Sequence, residues 1–252
     1  MKKIGSLLFS CILFCVLAAP AAAQELVVSA AASLTNAFND IKAEFEQINP
    51  GVLVTPNYAA SGALFRQIEQ GAPVDVFASA DLKWMNDMIA AGFVEENESV
   101  LFAQNTLVLA VSTASRVAIS GVADLTGEQV RRIGVGTPAT VPVGNYSKIA
   151  LEGLGMWDVL QPKMIFAESV RQVLDYVQRG EVDAGLMYAT DAAQGGERVQ
   201  IVATLPLPEP VSYPIAPLKN SKQSEMGRKF IQFILSDQGQ DILAGYGFSR
   251  PE

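Results

Sequence analysis

The chain has 252 residues, two cysteines, no histidine, and 26 acidic against 18 basic side chains, a net charge of −8. Without histidine there is no Ser-His-Asp triad and no imidazole metal ligand. The acidic balance argues against nucleic acid and anionic membrane surfaces as partners.

In chain order, a leader comes first. Lys2 and Lys3 precede a largely apolar run over residues 4–19, and Ala21-Ala22-Ala23 supplies the small-x-small pattern of a signal-peptidase site. The run is short for a membrane span of about 20 residues. Residues 1–23 therefore read as a secretory signal cleaved before Gln24, and the product as a periplasmic protein. Both cysteines, Cys11 and Cys15, leave with the signal. The mature chain would keep 16 basic against 26 acidic residues, with no thiol and no disulfide. A core of that size needs no covalent staple.

From Gln24 onward strand-like and helix-like segments alternate, the pattern of an α/β protein. A short strand is expected at 25–31. Leu34, Phe38, Ile41, Phe45 and Ile48 follow at helical spacing, and Pro50-Gly51 ends that helix. Residues 52–58 read as a strand, 63–70 as a helix and 75–79 as a short buried strand. Asp81 can cap the next helix, which stops before Gly92. Strands are expected at 106–112 and 132–136, then a helix over 144–153 and a strand over 163–167. Val170, Val173, Leu174 and Val177 form one apolar helical face that ends at Gly180. Strands follow at 183–188 and 199–204. Residues 211–217 read as a strand broken by Pro214 and Pro217, suited to an edge or a crossover. Two helices close the chain, at 225–235 and 237–244. The sequence has no internal repeat and no low-complexity tract.

Four junctions share one form: a strand ends, a small or hydroxylated residue follows, and a helix begins. They are Ser33, Ser61-Gly62, Pro142-Val143-Gly144 and Glu168-Ser169-Val170. In open α/β sheets, ligands bind beyond the carboxyl ends of the strands. Helix starts there present unpaired N–H groups and the positive end of the macrodipole. Four of them around one cleft would hold an anion without a charged side chain. Singly, each is ordinary: a serine at a helix start is usually an N-cap, and Tyr188 at a strand end is usually a packing residue. Gly134-Val135-Gly136 lacks the third glycine and the lysine of nucleotide loops. Glu168 would repel an anion, so its side chain must point away.

Beyond these junctions, six stretches carry a resemblance: Ala30-Ala31-Ala32-Ser33-Leu34-Thr35-Asn36-Ala37, Arg66-Gln67-Ile68-Glu69-Gln70-Gly71-Ala72-Pro73-Val74-Asp75, Ser79-Ala80-Asp81-Leu82-Lys83-Trp84-Met85, Val141-Pro142-Val143-Gly144-Asn145-Tyr146, Leu154-Gly155-Met156-Trp157-Asp158 and Tyr246-Gly247-Phe248. In this order they resemble the periplasmic molybdate-binding proteins of ABC importers, over essentially the whole mature chain. The resemblance implies a two-lobed type II periplasmic binding protein fold, α/β, with mixed central sheets flanked by helices and a ligand cleft between the lobes. It implies that residues 24–106 with 216–252 form lobe I and 107–215 form lobe II, with crossings near 104–107 and 213–217. It also implies molybdate or tungstate as ligand with no separate cofactor, a monomer, and a membrane permease with its ATPase as partner.

For the site, the resemblance implies hydroxyl and backbone donors at Ser33 and Ser61, backbone amides at Val143 and Val170, and the hydroxyl of Tyr188. Val143 stands where relatives can carry a smaller residue, and Ser61 is followed by Gly62 rather than another hydroxyl. All five groups are neutral donors. A fully deprotonated oxyanion only accepts, so such a shell suits it, whereas hydrogen phosphate needs an acceptor for its proton. Other readings are sulfate, ferric ion or an organic acid on the same fold. A ferric site would want adjacent tyrosines, which the sequence lacks. An organic acid would want an arginine clamp, whereas Arg66, Arg131, Arg132 and Arg171 fall on or beside helices and read as solvated. A secreted hydrolase using Asp75 and Asp81 as a carboxylate pair is the alternative from another class; Asp81 reads first as a cap.

Overall fold

The computed structural model describes residues 24–251. The signal segment at 1–23 lies outside the described residues. Strand β1 (Gln24–Ala31) runs parallel to β2 (Val52–Ala59) on one side and β3 (Val76–Ala78) on the other. Parallel neighbours require crossovers, and helices α1 (Thr35–Ile48) and α2 (Ser61–Glu69) supply them. Helix α1 forms because Phe38, Ile41 and Phe45 recur on one face, and all three are buried. Ile48 continues the spacing but is 56% exposed, past the edge of the core. Helix α3 (Leu82–Ala90) follows, capped by Asp81, whose side chain accepts the Trp84 amide. Strand β4 (Val100–Asn105) closes this stretch.

One residue later β5 (Leu107–Ser112) starts a second sheet. It is followed by β6 (Ile133–Gly136), α4 (Pro142–Gly153), α5 (Trp157–Leu160), β7 (Met164–Ala167), α6 (Val170–Gln178), β8 (Ala184–Tyr188), α7 (Ala189–Gln194) and β9 (Val199–Thr204). The chain then returns to the first sheet as β10 (Val211–Pro217) and ends in α8 (Ser224–Leu235) and α9 (Asp237–Gly245). Phe38, Phe45 and Phe230 pack edge-to-face, which fixes α8 against α1.

The strand orders are β2-β1-β3-β10-β4 and β7-β6-β8-β5-β9. In each sheet the first three strands are parallel and the fourth is antiparallel to both its neighbours. The two halves therefore share one topology, although no sequence repeat announces it. The start of α1 corresponds to that of α4, α2 to α6, and α3 to α7.

Two expectations need correction. The second passage between sheets is at residues 205–210, between β9 and β10, not at 213–217. Residues 211–215 accordingly belong to the first sheet rather than to lobe II. Strand β10 is also not an edge: it lies between β3 and β4, with every residue buried. Of its two prolines, Pro214 stands where the register with β4 shifts, between Tyr213 and Pro214, and Pro217 is the last residue of the strand.

Candidate functional site

The five residues that the resemblance implies meet. Ser33, Ser61, Val143, Val170 and Tyr188 line one cavity between the two sheets' carboxyl ends, together with Ala31, Ala32, Ala60, Ala80, Val141 and Pro142. The space they leave is small. All eleven lining residues are buried, so the cleft is closed. Among the described residues its wall carries no charged side chain. Glu168 is exposed and absent from the wall, as an anion site requires.

Helix starts dominate the lining. Ser61 is the first residue of α2, Val143 the second of α4 and Val170 the first of α6. Their amides belong to first turns, which have no intrahelical acceptor. Ser33 lies in the 3-10 turn Ala32–Leu34 that leads into α1. Three helices of nine or more residues thus aim their positive ends at one point.

The hydroxyls have defined partners. Ser61 Oγ accepts the Ala80 amide at 3.1 Å, so its own proton is free for the cavity. Ser33 Oγ lies 3.1 Å from the Tyr213 hydroxyl. Tyr188 donates to the Ala80 carbonyl at 3.5 Å, beyond the usual O–H···O range, and is only loosely held. Burial pushes its phenol well above the ordinary tyrosine range, so it stays a donor.

One acid, Asp81, follows the lining residue Ala80, and the other, Asp75, lies at the opposite end of β3. Asp81 caps α3 through Oδ1, while its buried Oδ2 has no partner. Burial raises its pKa to about 6, opposed by the bonds from Trp84 and Ser79. Asp75 accepts the Val27 amide and the Ser221 hydroxyl. The two carboxylates thus hold separate pieces of backbone and share no substrate-sized space, contrary to the glycosidase-like pairing.

The larger departure from expectation is Arg171, which is not solvated. Its side chain is 25% exposed, its Nε lies 2.7 Å from Oδ1 of the fully buried Asp191, and its Nη2 donates to the Ser33 carbonyl at 3.2 Å. The Nε–H is aimed off the carboxylate, so the pair is an electrostatic contact without a well-directed hydrogen bond. Burial raises the Asp191 pKa to about 7 even though Arg171 pulls it down. Arg171 thereby ties α6 and α7 of the second half to the Ser33 turn of the first.

A second bridge is backbone only. The Gly62 amide donates to the Thr140 carbonyl at 3.1 Å, from one half to the other. A Cβ on Gly62 would fall 2.6 Å from that oxygen and 2.4 Å from Cζ2 of Trp84. Gly62→Ala is therefore expected to oppose closure by about 1–3 kcal/mol, the range for overpacking. Ligand titration should read this as a weaker affinity. An unchanged affinity would mean that Trp84 and Thr140 yield without cost.

Two like-folded halves that meet over a small pocket of helix N-termini have the form of a solute-binding protein. The chain belongs to the bacterial extracellular solute-binding protein family, whose model matches residues 26–249. The Escherichia coli K12 protein named molybdate-binding protein ModA is 37% identical over 231 residues, covering 89% of each chain. The Haemophilus influenzae protein of the same name is 34% identical over 237 residues, covering 91% of each. The solved Azotobacter vinelandii periplasmic molybdate-binding protein superposes with a TM-score of 0.78 at 24% identity, over 90% of this chain and all of that one, a likeness of fold. The architecture is the type II periplasmic binding protein fold, as the resemblance implies.

Proposed function

We propose that this protein is an exported, periplasmic carrier that closes its two lobes on molybdate or tungstate and delivers the anion to the permease of an ABC importer. It does so as a monomer with no resident cofactor, and the oxyanion is cargo. One observation carries the reading: a small buried cavity whose wall offers hydroxyl and first-turn amide donors and no charged group among the described residues. The identity to proteins named for molybdate binding supports the choice of oxyanion.

In this reading Ser33, Ser61 and Tyr188 donate hydroxyl protons, and Ser33, Ser61, Val143 and Val170 donate backbone amides. The dipoles are pre-oriented by the helices and strand ends that carry them, and in a water-poor pocket they count for more than in bulk. Size and protonation then discriminate. A smaller sulfate cannot reach every fixed donor, and hydrogen phosphate brings a proton that finds no acceptor, which costs about 1–3 kcal/mol. Calorimetry at neutral pH on ligand-free protein should rank molybdate and tungstate together, then sulfate, then phosphate. Sulfate or phosphate binding as tightly as molybdate would overturn the reading.

A further inference from the structure

A serine hydroxyl can donate to a ligand or accept from it, and only the first suits a deprotonated oxyanion. The side chains behind Ser33 remove the choice. Asn105, the last residue of β4, accepts the Thr106 amide through Oδ1 at 2.9 Å, which fixes which end of its amide is nitrogen. Its Nδ2 then lies 2.8 Å from Thr190 Oγ1 and 3.2 Å from the Tyr213 hydroxyl. An amide nitrogen only donates, so the phenol oxygen accepts there and must send its own proton elsewhere. Tyr213 is fully buried, and that burial keeps the phenol protonated far above neutral pH. Ser33 Oγ, at 3.1 Å, is the acceptor in reach. Once Ser33 accepts from Tyr213, its own proton points away from the phenol, toward the cavity that Ser33 lines.

We propose that Asn105, acting through Tyr213, is a positioning residue that holds the Ser33 hydroxyl as a donor and thereby sets the discrimination between fully deprotonated oxyanions and those carrying a proton. The proposal rests on the oxyanion reading above. It adds a source of selectivity that touches no ligand: the direction of a proton chain three side chains long.

The chain can be run backwards. In Asn105→Asp the carboxylate can only accept, so Tyr213 donates to it, the phenol oxygen accepts from Ser33, and the serine oxygen faces the cavity as an acceptor. The new charge weakens every anion. The readout is therefore the ratio of molybdate to hydrogen phosphate affinity at mildly alkaline pH, where both ligands are dianions and the charge effect largely cancels. Calorimetry on wild type, Asn105→Asp, Tyr213→Phe and the double variant gives that ratio. Asn105→Asp should lower it at least about tenfold, the worth of one hydrogen bond to a charged group. The double variant should match Tyr213→Phe, because without the phenol there is no chain to reverse.

A ratio in Asn105→Asp within about twofold of wild type, or the same fall in the double variant as in the single, overturns the proposal; tenfold is the scale of the expected effect. If Asn105→Asp does not fold, Tyr213→Phe carries the test: a released Ser33 rotor should lower the ratio by about threefold or more, and an unchanged ratio overturns the proposal. A wild-type protein that binds molybdate while Asn105→Asp keeps its selectivity refutes the relay alone. A wild type that binds neither ligand refutes the oxyanion reading and the relay with it.

Discussion

Arg171→Met is expected to cost about 3 kcal/mol of folding stability, at the lower end of the range for breaking a buried ion pair. Asp191 is fully buried, its Oδ2 has no partner, and the Arg171 guanidinium is the one cation its Oδ1 touches among the described residues. Methionine keeps the apolar stem and leaves the carboxylate alone. The sign of the pH dependence follows from the raised folded-state pKa, already about 7 with Arg171 present. A carboxyl whose folded pKa lies above its unfolded value stabilises most below the unfolded value, near 4, and loses that contribution as pH rises through the folded one. Arg171→Met should therefore show a stability that falls steadily from pH 4 past pH 7, because without the guanidinium the folded pKa climbs further. Urea unfolding at several pH values measures this. The double variant Arg171→Met/Asp191→Asn should lose the slope. A flat profile in the single variant would mean that water or another donor reaches Asp191.

Ser61→Ala should act twice. The lost donor weakens oxyanion binding by about 1.5–3 kcal/mol, roughly ten- to hundredfold. Independently, the Ala80 amide, which now donates to Ser61 Oγ in a buried position, is stranded at a cost of about 1–3 kcal/mol. The ligand-free variant should therefore melt earlier than wild type as well as bind more weakly. Val143→Ala is the contrast. Its amide remains, so calorimetry should record a much smaller loss of affinity, while the vacated space lowers stability by about 1 kcal/mol. If Val143→Ala costs as much affinity as Ser61→Ala, side-chain packing and not aimed donors holds the ligand.

Much of the fold was legible because its elements obey simple periods. The α1 and α6 faces, the Asp81 cap and the glycine stops at Gly92 and Gly180 come straight from helical spacing and capping chemistry. The elements that were missed are short or fused. Strand β4 runs into β5 with one residue between them, so a single strand was expected where two sheets meet. Helices α5 and α7, of four and six residues, are too short to show a period. Those omissions hid the chemistry behind the site. Arg171 read as solvated because its partner Asp191 sits on α7. Asn105 and Tyr213 carry no local signal: one ends a strand that no sequence period marks, and the other lies in a proline-containing segment that reads as an edge. Of the five lining residues, Ser33, Ser61, Val143 and Val170 are legible as strand-to-helix junctions, whereas Tyr188, an ordinary strand-end residue by itself, follows from the family resemblance. Which way their protons point depends on long-range contacts that no local pattern encodes.

The shared strand order of the two sheets has a last consequence, one of symmetry. Equivalent junctions pair Ser33 with Val143 and Ser61 with Val170, so each half contributes the same two helix starts to the pocket. The four corners of a tetrahedron are interchangeable, and any two of them are equivalent to the other two. A symmetric tetrahedral anion can therefore offer each half an identical pair of oxygens, in any of its orientations. An anion with one altered corner, protonated or esterified, has lost that equivalence, and one half of the pocket must then meet the altered corner.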